Sequence, residues 1–186
     1  MFEKLLSRIG ANLNKRSLPY MIIGGQAVLL HGEPRLTRDI DITLGVNTDH
    51  LDELLSLVQE LSLKSIPNDI ESFVRQTMVL PALDETTGIR VDFIFSFTPY
   101  EIEAIKRAVK VVILDQEVNF ASPEDLIIHK IFAGRPRDIE DVRTVILKNP
   151  QIDIRYIRGW LKEFDTSADE KDFLKNFEGV LKEVES

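Results

Sequence analysis

Hydrophobic positions recur along this chain with two different periods, which predict a mixture of helices and strands. Apolar residues spaced three or four positions apart predict an amphipathic helix over residues 2–13. The apolar run 20–23 stops at two glycines, which predicts a buried strand that ends in a tight turn. Apolar and polar residues then alternate over 39–46, so this stretch predicts a half-buried strand with Asp39 and Asp41 on its polar face.

The same two periods predict the other elements of the first part of the chain. Helical spacing predicts helices over 26–30, 50–61 and 99–108. Apolar or alternating runs predict strands over 73–83, 89–97, 109–114 and 118–120, with a hairpin loop over 84–88. Because hairpins as well as helices connect these strands, we expect an α+β fold with a small mixed sheet flanked by helices.

From Ser122 onward, the patterns predict helices only. Ser122 can cap a helix whose first position is Pro123, and this helix is predicted to end near Gly134. Three more helices are predicted, over 136–149, 153–165 and 169–185. We therefore predict an α/β core over residues 1–121 and a C-terminal helical region over residues 122–186.

Composition narrows the classes of protein to which the chain can belong. Its 186 residues include 23 Lys and Arg against 31 Asp and Glu, a formal net charge of -8, so coating duplex DNA by charge alone is not expected. The chain has no cysteine, which excludes disulfides, cysteine-ligated metals and cysteine nucleophiles. No apolar run approaches the roughly 20 residues of a membrane span, and the charged N-terminal stretch does not resemble a signal peptide. We therefore expect cytoplasmic residence and no membrane partner.

Three aspartates are the strongest candidates for chemistry. On a strand, Asp39 and Asp41 project from the same face, and two such carboxylates repel each other unless a cation lies between them. Asp92 belongs to a later predicted strand, and three carboxylates converge if that strand neighbours the first. Oxygen ligands favour Mg²⁺ or Mn²⁺, and such a cluster can hold a two-metal site suited to in-line displacement at phosphorus.

Two glycines precede this group of aspartates. Gly24 and Gly25 follow the predicted strand 20–23 and begin a short helix, where backbone N–H groups can approach a phosphate closely. A glycine pair after a strand indicates little by itself, and two alternating aspartates are more often a solvated edge than a metal site. Their order along the chain, together with the third aspartate, favours a phosphate-binding metal site.

This combination resembles the nucleotidyltransferase superfamily with the polymerase-beta-like core, whose signature is a strand, Gly-Gly or Gly-Ser, a short helix and then Asp-h-Asp, where h is apolar. The matching residues are Gly24, Gly25, Asp39, Asp41 and Asp92. The resemblance implies an enzyme that moves a nucleoside monophosphate from a nucleoside triphosphate to an acceptor and releases pyrophosphate. It implies that Asp39 and Asp41 hold Mg²⁺ or Mn²⁺ and that Asp92 completes a second metal site and activates the acceptor. Both glycines would cradle the β- and γ-phosphates.

A second block narrows the resemblance to the abortive-infection AbiEii-type toxin branch, which has a helical lysine and then Arg-x-(Arg/Lys)-Asp-x-x-Asp at the next helix start. The matching residues are Lys130, Arg135, Arg137, Asp138 and Asp141. The resemblance implies that Lys130, Arg35 or Arg38 neutralises the leaving pyrophosphate, and Lys130, ranked first, joins the three aspartates as a catalytic residue. The complete set of implied nucleotide-binding residues is Gly24, Gly25, Arg35, Thr37, Arg38, Lys130, Arg137, Asp138 and Asp141.

The resemblance leaves the acceptor open. Toxin relatives act on tRNA or other RNA ends, which makes an antitoxin protein a candidate partner, whereas other superfamily members modify aminoglycoside hydroxyls or protein side chains. A local basic rim in the helical region could bind RNA, and its candidate residues are Lys130, Arg135, Arg137, Arg143, Arg155 and Arg158. A catalytically silent nucleotide-binding module that acts through a partner is a second class. A dinucleotide-binding domain is a third, but the chain lacks the G-x-G-x-x-G pattern that this class needs.

Overall fold

The chain divides into two compact units in the computed structural model, which describes residues 1–167 and 171–185. The first unit comprises Met1–Gln26 and Leu36–Phe120, and the second comprises Ala27–Arg35 and Ala121–Ser186. Every strand of the described residues lies in the first unit, and the second unit is helical.

The first unit contains both helices and strands, and the second unit contains helices that follow one another. The helices of the described residues are α1 (Phe2–Lys15), α2 (Gly24–His31), α3 (Leu51–Glu60), α4 (Ile70–Thr77), α5 (Pro99–Lys106), α6 (Pro123–Ala133), α7 (Pro136–Lys148), α8 (Ile154–Ser167) and α9 (Phe173–Glu185). The strands are β1 (Tyr20–Ile23), β2 (Asp39–Leu44), β3 (Lys64–Ser65), β4 (Val79–Asp84), β5 (Ile89–Phe95), β6 (Val109–Ile113) and β7 (Gln116–Phe120). A short 3-10 helix, Thr48–His50, precedes α3.

The strands of the described residues form one seven-stranded mixed sheet in the order β3-β4-β5-β2-β1-β7-β6. Strands β2 and β5 run parallel, as do β1 and β7, and the other neighbouring pairs are antiparallel. Tight turns join β4 to β5 and β6 to β7, whereas the parallel pairs need longer connections. The predicted α+β class, with a mixed sheet and a helical C-terminal region, is therefore confirmed.

Strands β2 and β5 each bury one face, and their other face carries the less buried residues. On β2, the fully buried Ile40 and Ile42 alternate with the half-buried Asp39 and Asp41. On β5, every second residue from Ile89 to Phe95 is buried, and the residues between them are more exposed. Both strands therefore carry polar side chains on the face opposite the core.

One predicted strand was wrong at its N-terminal end. The strand was predicted over 73–83, but its first residues belong to helix α4, and β4 begins only after that helix. Asp69 caps α4 by accepting a hydrogen bond from the backbone N–H of Ser72, and Met78 ends it in the left-handed conformation, with φ of 60°. Short apolar runs do not separate helix from strand by themselves. The two-residue strand β3 was not predicted.

Helix α6 begins and ends as its sequence predicts. Ser122 Oγ accepts a hydrogen bond of 3.1 Å from the backbone N–H of Asp125, and Pro123 occupies the first helical position. Gly134 ends the helix in the left-handed conformation, with φ of 65°.

The last helix begins later than predicted. The prediction was a helix over 169–185, whereas α9 begins at Phe173, and residues 169 and 170 lie outside the described residues. Within 1–167 and 171–185, no helix is long and apolar enough to cross a membrane.

Candidate active site

Three carboxylates and one guanidinium lie on one face of the neighbouring strands β2 and β5, and we call this group the charged face. Its members are Asp39, Asp41, Arg90 and Asp92. In the parallel register of the two strands, Asp39 lies opposite Arg90, and Asp41 lies opposite Asp92. Because opposed positions of neighbouring strands project from the same face, the structure brings the three predicted aspartates together.

Two glycines allow the backbone to approach these acids. Strand β1 pairs with β2 so that Ile23 lies opposite Asp41, and Gly24 follows with a φ of 62°. A β-carbon at Gly24 would overlap Asp41 Oδ2, and a β-carbon at Gly25 would overlap Thr37 Oγ1. The close approach therefore requires glycine at both positions, and it places the first turn of α2 beside the charged face. A helix N-terminus in such a position favours phosphate.

Two buried polar side chains hold Asp39. Thr37 Oγ1 donates a hydrogen bond of 3.0 Å to Asp39 Oδ1, and Gln26 Nε2 donates one of 3.3 Å to the Asp39 backbone carbonyl oxygen. Thr37 was predicted as a nucleotide-binding residue, and the structure places it against a predicted metal ligand. Gln26 was not predicted as a site residue, although a polar residue directly after Gly24-Gly25, among apolar helix positions, could have indicated it.

Arg90 is the basic member of the charged face. Its Nε donates a hydrogen bond of 2.8 Å to Asp92 Oδ1, and its side chain is 52% exposed, against 17% for Asp92. The hydrogen bond with Asp92 raises the pKa of Arg90, and the charges of all three aspartates add to this effect. Arg90 was not predicted either, although a residue two positions before Asp92 on a strand lies on the same face as Asp92.

The carboxylate oxygens of the charged face are the type of ligand atom that a hard divalent cation binds. Carboxylate oxygens are the ligands that Mg²⁺ and Mn²⁺ prefer, and Asp39, Asp41 and Asp92 project from one face. In residues 1–167 and 171–185, no group of three or more His, Asp or Glu side chains is arranged to hold a metal ion. Thr37 donates a hydrogen bond to Asp39, and Arg90 donates one to Asp92. Binding a metal would require the carboxylates to turn towards one another.

Lys130 and four other charged residues of the second unit form a connected group, which we call the Lys130 network. Lys130 Nζ lies 2.8 Å from Asp138 Oδ1 and 2.9 Å from Asp141 Oδ2. Arg35 holds Asp141 through Nε and Nη2 at 2.9 and 3.0 Å, and Arg135 Nε lies 2.6 Å from Asp138 Oδ2. The lysine and both aspartates are buried. Each buried carboxylate therefore has two basic partners within the second unit.

Asp138 also helps to begin helix α7. Its Oδ2 accepts a hydrogen bond of 3.3 Å from the backbone N–H of Arg135, and its place in the first helical turn is favourable for an acid. Burial alone would raise the pKa of Asp138, but the hydrogen bonds from Arg135 and Lys130 outweigh burial and lower the pKa. The carboxylate is therefore the charged partner of Lys130 at neutral pH.

Two other predicted nucleotide contacts, Arg38 and Arg137, have exposed side chains. Arg38 directly precedes Asp39, at the start of β2. Arg137 is the second residue of α7 and directly precedes Asp138. Both side chains are therefore in contact with solvent.

Glutamates pair with two residues of the predicted basic rim. Arg143 Nη1 lies 2.8 Å from Glu140 and its Nη2 lies 2.5 Å from Glu183, while Arg158 Nε lies 2.6 Å from Glu178. Carboxylates therefore offset these two positive charges, and the rim is less basic than its sequence indicates.

Several solved structures share this fold. ANT(2")-Ia in complex with adenylyl-2"-tobramycin is 21% identical with a TM-score of 0.58, over 89% of this chain and 97% of that chain. The lincomycin-bound lincosamide antibiotic adenylyltransferase LnuA is 16% identical with a TM-score of 0.53, over 76% of this chain and 94% of that chain. An antigenic nucleotidyltransferase-like protein from Paracoccidioides brasiliensis is 18% identical with a TM-score of 0.56, over 97% of this chain and 91% of that chain. At these identities the likeness shows the fold alone.

The fold is that of a nucleotidyltransferase. The sequence profile of the family described as "Nucleotidyltransferase of unknown function (DUF6036)" matches residues 2–184, and the chain belongs to this family. The predicted membership of the nucleotidyltransferase superfamily is therefore confirmed, and with it the enzyme class. No curated protein matches the chain.

Proposed function

We propose that this protein moves a nucleoside monophosphate from a nucleoside triphosphate to an acceptor, with Mg²⁺ or Mn²⁺ held by Asp39, Asp41 and Asp92. The observation that carries the proposal is the parallel register of β2 and β5, which aligns Asp41 with Asp92 on the face that also presents Asp39. Three carboxylates on one face match the donors that hard cations prefer. Membership of a nucleotidyltransferase family supports the same reaction class.

In this reaction, an acceptor oxygen forms a bond to the α-phosphorus of the triphosphate. The bond from that phosphorus to the bridging oxygen breaks, pyrophosphate leaves with the electron pair, and the acceptor proton passes to a base. When bound, the divalent ions supply positive charge that stabilises the phosphate oxygens and lowers the pKa of the acceptor. We assign Asp92 to the acceptor side, where its carboxylate positions the acceptor or takes its proton.

The residues around the charged face have roles in holding the nucleotide. The backbone N–H groups of Gly24 and Gly25 would bind the β- and γ-phosphates, because the first turn of α2 combines free donors with a favourable dipole. Thr37 keeps the Asp39 carboxylate in one orientation through its hydrogen bond. Arg38 is exposed beside Asp39, and we assign it to the leaving pyrophosphate.

A direct contact between Lys130 and pyrophosphate stays a prediction. The ammonium has two carboxylate partners, Asp138 and Asp141, and would have to give up at least one of them to bind phosphate. This pairing supports a role in which Lys130 joins α6 to α7. Asp141 extends the connection to Arg35, which it binds through two hydrogen bonds.

For the acceptor, we propose a small molecule with a free hydroxyl group. The pairing of Arg143 and Arg158 with glutamates and the net charge of -8 both oppose the approach of a polyanion. ANT(2")-Ia in complex with adenylyl-2"-tobramycin and the lincomycin-bound LnuA have the same fold, which supports this class of acceptor. Transfer to RNA, with a toxin role and an antitoxin partner, is the alternative that the AbiEii-type motif favours.

A transfer assay with separated acceptors tests this proposal. The protein is incubated with each nucleoside triphosphate labelled at the α-phosphate, with Mg²⁺ or Mn²⁺, and with small-molecule, RNA or protein fractions of a cell extract. Label in the small-molecule fraction is expected, and label in RNA would support the toxin alternative instead. Nucleotide binding without transfer to any fraction would contradict the proposal and indicate a silent binding module. If RNA is labelled, the double substitution Arg155→Glu and Arg158→Glu tests whether the basic rim binds it.

A further inference from the structure

Arg90 is bound to Asp92, with 2.8 Å between Arg90 Nε and Asp92 Oδ1. We propose that Arg90 is an internal counter-ion of the charged face, which pairs with Asp92 until a divalent cation replaces it. The inference rests on the proposed function, because it assumes that Asp92 is a metal ligand. It adds a regulatory role for a residue that no sequence motif assigns, since Arg90 would set how readily the acids bind metal.

The register of the strands places Arg90 among all three acids. It lies directly opposite Asp39 and two residues before Asp92 on the same face of β5. Its hydrogen bond goes to Asp92, and the negative charges of Asp39 and Asp41 also act on its guanidinium. Three carboxylates on one face repel one another, and a single positive charge at this position relieves part of that repulsion.

The contact between Arg90 and Asp92 has the features of an exchangeable pair. Arg90 donates through Nε alone, whereas strong arginine–carboxylate pairs use two parallel hydrogen bonds. Arg35 and Asp141 form such a two-bond pair in this chain, at 2.9 and 3.0 Å. The Arg90 side chain is also half exposed, so solvent and salt weaken the pair. A divalent cation can therefore replace it.

The direction in which metal affinity changes when Arg90 loses its charge distinguishes this role from other roles. If Arg90 competes with the metal for Asp92, removing its positive charge strengthens metal binding, because both the competition and the repulsion between like charges are removed. A residue that only supports the sheet would leave metal affinity unchanged. A residue that helps to hold the metal would weaken binding when it is replaced.

Mn²⁺ binding followed by electron paramagnetic resonance, without nucleotide, tests the inference. The variants are Arg90→Gln, Arg90→Ala and Arg90→Lys, with Asp41→Asn as the site control. Lys110→Gln is the matched charge control, because it removes one charge of the exposed Lys110–Glu117 pair on β6 and β7, at the opposite side of the sheet. We expect Arg90→Gln and Arg90→Ala to bind Mn²⁺ about threefold to tenfold more tightly than the wild type. Arg90→Lys and Lys110→Gln should stay within about twofold of it.

Thermal unfolding gives a second readout. Without metal, the Arg90→Gln variant should unfold at a lower temperature than the wild type, because its acids have lost their counter-ion. Addition of Mn²⁺ should raise the unfolding temperature of Arg90→Gln by more than it raises that of the wild type. If Asp41→Asn abolishes Mn²⁺ binding but Arg90→Gln binds as the wild type does or more weakly, the inference is overturned and the proposed function stands. If Asp41→Asn binds Mn²⁺ as the wild type does, the proposed metal site and the inference are both overturned.

Discussion

Gly24 lies so close to Asp41 that a β-carbon on the glycine would overlap the carboxylate oxygen Oδ2. The contact joins the turn after β1 to the charged face, and the proposed function assigns the turn to phosphate and the charged face to metal. Gly24 also has a φ of 62°, a conformation that residues with a β-carbon adopt only with strain. Both the backbone conformation at position 24 and the lack of space beside Asp41 therefore favour glycine.

The substitution Gly24→Ala is expected to abolish nucleotidyl transfer, because it displaces the Asp41 carboxylate. Gly88→Ala is the matched control, since Gly88 has a φ of 72° and a β-carbon there would meet no atom within 4 Å. Both substitutions introduce similar backbone strain, about 1–2 kcal/mol, and only Gly24→Ala adds the overlap with Asp41. Urea unfolding and the transfer assay measure the two effects. Equal loss of stability in both variants, with full activity of Gly24→Ala, would show that the contact is unimportant.

Replacement of Thr37 tests whether its hydroxyl orients Asp39. Thr37→Val removes the 3.0 Å hydrogen bond to Oδ1, which we expect to lower the transfer rate while reducing the free energy of unfolding by only about 1 kcal/mol. Thr37→Ser keeps the hydroxyl and should retain most of the activity. Steady-state transfer rates of the two variants decide the point, and a Thr37→Val enzyme as fast as Thr37→Ser would count against this role.

Lys130 should be important for stability whether or not it contacts nucleotide. Lys130→Met leaves the buried Asp138 and Asp141 without their shared cation, which is expected to lower the free energy of unfolding by about 3–5 kcal/mol. Lys148→Met is the control in the same unit, because its 3.0 Å pair with Glu33 is exposed and should contribute less than about 1 kcal/mol. Urea unfolding curves of both variants measure the difference. Similar losses in the two variants would contradict the structural role of the Lys130 network.

His31 makes stability depend on pH in a predictable direction. Burial lowers the pKa of His31, although the 2.8 Å hydrogen bond between its Nε2 and the Ala121 carbonyl oxygen opposes this effect. The unfolded chain therefore takes up a proton at a higher pH than the folded chain, so stability falls as pH drops below about 6.5. His31→Gln should show a smaller loss than the wild type between about pH 7.5 and about pH 5.5. If the free energy of unfolding changes with pH by the same amount in the wild type and in His31→Gln, His31 does not contribute to the pH dependence.

Local patterns were sufficient to predict most elements and the strand face on which Asp39 and Asp41 lie. The alternation around Asp39 and Asp41 predicted a strand with both carboxylates on one face, and burial of the isoleucines between them confirms that strand. The order of strands depends on long-range packing, so the position of Asp92 next to the other acids could be predicted only on the condition that its strand neighbours theirs. The partners of Arg90 and the hydrogen bond from Gln26 depend on the same packing, and both were overlooked.

The central claim is that the aspartates of the charged face carry out nucleotidyl transfer, and the Asp41→Asn variant tests it most directly. This change keeps the shape of the side chain and removes the charge that lies opposite Asp92. Asp115→Asn is the matched control, because Asp115 is exposed in the turn between β6 and β7. The measurement is transfer of label from an α-labelled nucleoside triphosphate. We predict transfer by the wild type and by Asp115→Asn and none by Asp41→Asn, whereas equal transfer by all three proteins would contradict the account.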